Sequence, residues 1–280
     1  MGKPVTRSLS RSLNEPLCPA QTSSSNTFNI PPTKLHFRQR KIRKPSIKNI
    51  TATITKTTTT SHRLSTITKP LSVTGEIDRA LQHLQNSDPL LKTLISDSKQ
   101  PTFESNTSPF LSLSRSILYQ QLAINAAKSI YTRFLTLCGG ESGLKPEKIL
   151  SLSAQQLREI GVSGRKASYL HDLAEKYRNG ALSDSLILEM NDEMLLTSLT
   201  AVKGIGVWSV HMFMIFSLHR PDVLPVGDLG VRKGVQSLYG LKELPQPLIM
   251  EQLCEKWRPY RSVGSWYMWR LMEAKKLASG

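Results

Sequence analysis

The sequence predicts an all-α globular domain over residues 76–280, preceded by a disordered basic tail over residues 1–75. Three observations carry this. Positive charge is concentrated at the N-terminus, the apolar spacing from Glu76 onward is helical, and the alternating runs bounded by turns that mark strands are missing.

The tail comes first. The chain has 37 Lys+Arg against 21 Asp+Glu, a net charge of +16 and a pI near 9.9. That balance implies a polyanionic partner, nucleic acid before membrane surface. Residues 1–75 hold 13 of the basic residues and a single acid, Glu15, together with 10 Ser and 14 Thr. Such a stretch buries too little apolar surface to offset the entropy of ordering it, so it is expected to be disordered, with the boundary near Leu71 to Gly75. The basic run Arg38 to Lys44 fits a nuclear-import signal that also binds DNA non-specifically. The same acid-poor, Ser/Thr-rich composition fits an organelle transit peptide, so nucleus and chloroplast or mitochondrion both stand.

Composition excludes other classes. The best apolar stretch, Val207 to Leu218, has 12 residues and contains Ser209, His211 and Ser217, whereas a membrane span needs roughly 20. Cys18, Cys138 and Cys254 are odd in number and far apart. They give neither a disulfide framework nor paired metal-ligand spacing, and an intracellular chain with reduced thiols is expected. The six histidines form no spaced ligand cluster, so no catalytic metal and no cofactor are expected.

The helical part follows in order. Leu170, Leu173, Ala174 and Tyr177 obey the i, i+3, i+4, i+7 rule, and Val263, Trp266 and Trp269 form a second stripe. Breaks fall at Gly139-Gly140, Gly161, Gly180, the Pro221 to Gly227 stretch and Gly240, which leaves about ten short helices. The stretch 207–218 is apolar on nearly every side and is expected at the centre. His211 within it fits a core histidine better than a ligand.

Lys203-Gly204-Ile205-Gly206 joins a short helix to this long apolar one. Two glycines one residue apart permit a tight turn with outward N–H groups, at a helix N-terminus where partial positive charge favours a phosphate. Lys203 adds a full charge. Together these grip a DNA backbone without reading its sequence, although a plain tight turn uses the same residues. Ser163-Gly164-Arg165-Lys166 opens another helix and fits either a second grip or an ordinary capped start. Asp228 follows in the Pro/Gly loop, as an N-cap or as a carboxylate at a cleft mouth facing DNA.

Hairpin, buried helix, Gly/Pro loop and Asp228 together resemble the helix-hairpin-helix–Gly/Pro/Asp superfamily of DNA glycosylases, and within it the 3-methyladenine DNA glycosylase II group. The resemblance spans roughly Glu76 to Lys275 and includes Ser116 to Leu122, Gly161 to Ala167 and Trp257 to Ser262 before Trp269. It implies a two-lobed helical bundle that acts as a monomer on double-stranded DNA containing damaged bases and passes its product to downstream repair enzymes. Some relatives have a β-rich N-terminal domain; this chain has the polar tail instead.

The resemblance also implies roles. Asp228 matches the catalytic aspartate, and Trp208 and Trp269, with Tyr119 as a further candidate, match the wall of the base pocket. Gln121 or Leu122 is the wedge that fills the hole left by a flipped base. Lys203, Gly204, Ile205, Gly206, Ser163, Gly164, Arg165, Lys166 and Arg261 are the expected DNA contacts, with Arg261 open to an ion-pair role instead. The carbonyls of Thr200, Val202 and Gly204 match positions that hold an alkali ion in relatives. Bifunctional relatives carry a lysine nucleophile where this chain has Trp208, so a monofunctional hydrolase of alkylated purines is implied. A non-catalytic DNA-binding module and a glycosylase for other damaged or mismatched bases are the alternatives.

Overall fold

In the computed structural model, residues 69–103 and 107–278 are described; residues 1–68 of the predicted tail, with the basic run Arg38 to Lys44, lie outside them, whereas residues 69–75, expected to be disordered, are described and place Leu71 in the core. Thirteen α-helices and no strand occur among the described residues: α1 (Glu76–Ser87), α2 (Pro89–Ser96), α3 (Pro109–Tyr119), α4 (Ile124–Cys138), α5 (Pro146–Ser151), α6 (Ala154–Glu159), α7 (Gly164–Arg178), α8 (Asp184–Glu189), α9 (Asp192–Thr200), α10 (Val207–Phe216), α11 (Leu229–Leu238), α12 (Pro247–Cys254) and α13 (Arg261–Ala278). A 3-10 turn, Glu255–Trp257, precedes the last helix. None of the helices is long and apolar enough to cross a membrane.

The helices pack in two groups. α3 to α10 form one, while α1 and α2 join α11 to α13 in the other, so both ends of the described chain belong to the same lobe. Leu71 is already part of the core, and its N–H donates to the His219 carbonyl at 2.8 Å. The closest packing in this lobe, α11 on α13, depends on Gly234. A Cβ there would lie 2.5 Å from the Met268 Cβ and 2.8 Å from its Cα, so the helix axes approach only because the side chain is missing.

Helix α10 occupies the position its composition demands: Val210, Met212, Phe213, Met214 and Ile215 are buried, while Trp208 and His211 are half-buried. Burial lowers the pKa of His211, as expected for a core histidine. Cys138 and Cys254 are buried free thiols, pushed up to about 11 and about 12 by burial. No group of three or more His, Cys, Asp or Glu is placed to hold a metal among the described residues.

The loop between α10 and α11 sits between the lobes and is fastened to the start of α13. Ser262 is fully buried; its hydroxyl donates to the Arg220 carbonyl at 2.6 Å and accepts from the Val223 N–H at 2.9 Å. Asp222 receives Arg258 at 2.6 Å and both ends of the Arg261 guanidinium. This anchoring fixes where the far end of the loop, Asp228, is delivered.

Candidate active site

The hairpin is built as its glycines require, with a division of labour between them. Gly204 has φ +79°, a left-handed conformation that a side chain resists, and a Cβ there would fall 2.1 Å from the Tyr169 ring. Gly206 has an ordinary φ of −99° with open space where a Cβ would go, so nothing in the fold itself demands glycine at that position. Its consequence is at the helix end. Seven of the thirteen helices begin with a side chain that accepts a first-turn N–H, but α10 begins at Gly206 with none. The first N–H groups of α10 are therefore available to an anion, where the helix dipole favours negative charge.

Lys203 projects beside them, its side chain 67% exposed, while its main-chain N–H donates to Asp172 at 2.9 Å. Burial pushes the Asp172 carboxyl up, but hydrogen bonds from Lys203 and Lys176 and their charges outweigh it and hold the carboxyl below its ordinary value. A cleft of about 500 Å³ runs alongside, lined by Lys203, Asp172, His171 and the first turns of α7.

Asp228 caps α11: Oδ1 accepts the Val231 N–H at 2.8 Å. The same oxygen accepts the Trp269 indole N–H at 2.9 Å, and Oδ2 accepts the Trp208 indole N–H at 2.6 Å. The cap and catalytic readings of Asp228 are thus compatible, since capping uses only part of one oxygen. With 4% exposure and three N–H donors, the carboxylate is held in one orientation. Gly230 makes this possible, because a Cβ there would lie 2.8 Å from Trp269 Cδ1 and 3.1 Å from Asp228 Oδ1. One further ring, Phe216, meets Trp269 at 5.6 Å between centroids.

Trp208 stands on the first turn of α10, two residues beyond Gly206. A single side chain therefore spans from the uncapped N-terminus of α10 to the buried acid at the start of α11. Comparison with known proteins gives the family. Residues 114–259 match the profile of the HhH-GPD superfamily of base excision DNA repair proteins.

The chain belongs to that superfamily.

Among HhH-GPD relatives, DNA-3-methyladenine glycosylase 1 of Schizosaccharomyces pombe is 34% identical over 163 residues, which is 58% of this chain and 72% of the relative. The alkylbase DNA glycosidase-like protein mag2 of the same yeast is 30% identical over 205 residues, covering 72% of this chain and 96% of the relative. Of solved structures, a DNA-3-methyladenine glycosidase from Bacillus halodurans aligns with TM-score 0.63 and 36% identity over 68% of this chain and 88% of that one. The S. pombe 3-methyladenine DNA glycosylase in complex with abasic DNA gives 0.59 and 32%, over 69% and 95%.

Not every residue expected at the HhH-GPD site is where the sequence reading put it. Asp228, Trp208 and Trp269 come together; Tyr119 is instead engaged with Arg115, at 5.1 Å from its ring, and with Tyr131. Of the two roles open to Arg261, the ion pair is formed: its side chain is 11% exposed, and its Nε and one terminal nitrogen donate to Asp222. Lys166 is turned inward, with Nζ on the Leu118 carbonyl at 2.7 Å and its pKa lowered by burial. Ser163 is the N-cap of α7, whereas Gly164 and Arg165 are exposed and accessible to a backbone. Gln121 is exposed and Leu122 half-buried in the loop after α3. Of the expected ion-binding carbonyls, that of Val202 accepts the Ile205 N–H at 3.1 Å and that of Gly204 accepts Gln120 at 2.8 Å.

Sequence reasoning missed Gly230, Ser262, Tyr169 and Gln120, whose roles are visible only once distant segments meet. It also missed a second buried aspartate. Asp88 caps α2 and receives the Trp257 indole at 2.9 Å, the Tyr239 hydroxyl and Lys256.

Proposed function

We propose that this chain is a monofunctional DNA glycosylase that everts alkylated purines of the 3-methyladenine and 7-methylguanine type and hydrolyses their N-glycosidic bond. The observation that carries the proposal is the buried Asp228 carboxylate, joined through Trp208 to the uncapped N-terminus of α10. Relatives named as 3-methyladenine glycosylases at 32–36% identity support the substrate class.

The chemistry follows from the site. As the bond between base nitrogen and C1′ breaks, positive charge develops on the deoxyribose, and a preorganised carboxylate stabilises it until water adds to C1′. The three N–H donors fix Asp228 before substrate arrives, so little reorganisation is needed at that moment. An alkylated purine is already cationic and leaves without a strong general acid. One carboxylate then does the work that sugar hydrolases divide between two. The half-buried Trp208 indole suits a cationic base, at about 0.5–2 kcal/mol per contact. The position of the lyase amine is filled by Trp208, which supports hydrolysis without strand cleavage. The basic tail favours a nuclear address, and the enzyme works as a monomer that leaves an abasic site for downstream repair enzymes.

A panel of duplexes, each with one lesion, tests this. Release of 3-methyladenine and 7-methylguanine with intact strands is expected. Faster release of uracil, mismatched thymine or 8-oxoguanine, or none from any duplex, overturns the proposal.

A further inference from the structure

The loop after α3 is held from two sides. Lys166, on the first turn of α7, donates from Nζ to the Leu118 carbonyl at 2.7 Å; Gln120 donates from Nε2 to the Gly204 carbonyl at 2.8 Å. The Leu118 carbonyl lies in the last turn of α3, where main-chain donors run out and a cation complements the helix dipole. One contact thus ties the α7 turn to the last turn of α3, and the other ties the hairpin to the residue that follows α3, so both fasten the segment leading into the next loop. The next residue, Gln121, has φ +54°, a left-handed conformation that a non-glycine residue keeps only where its surroundings impose it. Leu122 follows, its N–H on the Tyr119 carbonyl at 3.3 Å.

We propose that Gln120 and Lys166 are positioning residues that couple the hairpin and the α7 turn to the wedge loop. Seating the backbone in the two turns then sets Gln121 and Leu122 for insertion as one rigid unit. This rests on the glycosylase reading above. Lys166, expected from sequence to touch a phosphate, acts instead from behind the DNA face. Its burial, which disfavours a free ammonium, fits a side chain committed to the protein rather than to solvent.

The test uses the full chain and three readouts: affinity for undamaged duplex, fluorescence of 2-aminopurine beside a tetrahydrofuran abasic analogue, and single-turnover release of 7-methylguanine. Gln120→Met keeps the length and removes the donor without adding charge; Lys166→Met keeps the length and removes the ammonium. Undamaged-duplex affinity should stay within about twofold, because neither side chain touches the backbone. Excision should fall about threefold for Gln120→Met and about tenfold or more for Lys166→Met, as loss of a neutral and of a charged hydrogen bond predicts. The fluorescence rise should weaken in parallel, and Lys166→Arg should restore most of both. Gln120→Ala and Lys166→Gln, checked by thermal melting, serve if the first variants do not fold. Wild-type values in all readouts overturn the coupling, as does equal loss of affinity and excision. If the wild-type chain releases no base, the glycosylase reading fails, while the abasic-duplex fluorescence still decides the coupling.

Discussion

Gly230→Ala probes the site without replacing the acid, although its Cβ would also stand 3.1 Å from Asp228 Oδ1. The new Cβ would stand 2.8 Å from Trp269 Cδ1 and 3.2 Å from Nε1, and the former is closer than carbon atoms tolerate. Trp269 is buried against Phe216, so it must shift away from Asp228. Within a helix, alanine favours the fold by about 0.5–1 kcal/mol, whereas overpacking costs about 1–3 kcal/mol. Global stability should therefore change by no more than about 2 kcal/mol. The local effect is larger: the indole bond to a charged acceptor is worth about 1.5–3 kcal/mol, so single-turnover excision of 7-methylguanine should fall about ten- to a hundredfold. Trp269→Phe should produce a similar fall, and the double variant little more than either alone, since both break the same bond. Wild-type excision in Gly230→Ala, or independent multiplying effects in the double variant, refutes the positioning role of the indole.

Two further predictions follow from the fold. Gly204→Ala should lower both thermal stability and DNA affinity, because a positive φ and the Tyr169 ring leave no room for a methyl group; Gly206→Ala should melt normally and lose affinity only through crowding of the bound phosphate. Urea titrations from pH 7 to pH 3 should show the contribution of Asp88. Its burial raises the pKa, but Trp257, Tyr239 and Lys256 outweigh this and hold it below the ordinary value. That stabilisation is complete above the unfolded carboxyl value of about 3.9 and is lost as pH falls through the lower folded value. Asp88→Asn should cost about 1–3 kcal/mol at neutral pH and flatten the acid limb; an unchanged acid limb contradicts the assignment.

The helical class was legible because the stripes at Leu170–Tyr177 and Val263–Trp269 mark buried faces that local periodicity reveals. The hairpin and Asp228 were legible for another reason: special backbone geometry and a cap need particular residue types at fixed spacing. The inward turn of Lys166 was not, and for Arg261 the sequence left a DNA contact and an ion pair both open. A basic side chain near a DNA-facing turn gives no sign in sequence of whether an acid or a carbonyl awaits it inside. Asp222 lies 39 residues from Arg261 and Leu118 lies 48 from Lys166. Gly230 was equally hidden, since its importance lies in an indole arriving from α13, 41 residues beyond Asp228. Each miss concerns a side chain whose partner is distant in sequence.

The most direct measurement compares Asp228→Asn with the wild-type chain in single-turnover release of 3-methyladenine or 7-methylguanine and in binding to an abasic duplex. The amide can still cap α11, but its N–H group meets the Trp208 indole N–H, and the negative charge opposite the sugar is gone. Excision should fall by at least about a hundredfold. Binding should stay within a few-fold, because the hairpin is intact. Excision by Asp228→Asn at near the wild-type rate would contradict the catalytic assignment of this aspartate.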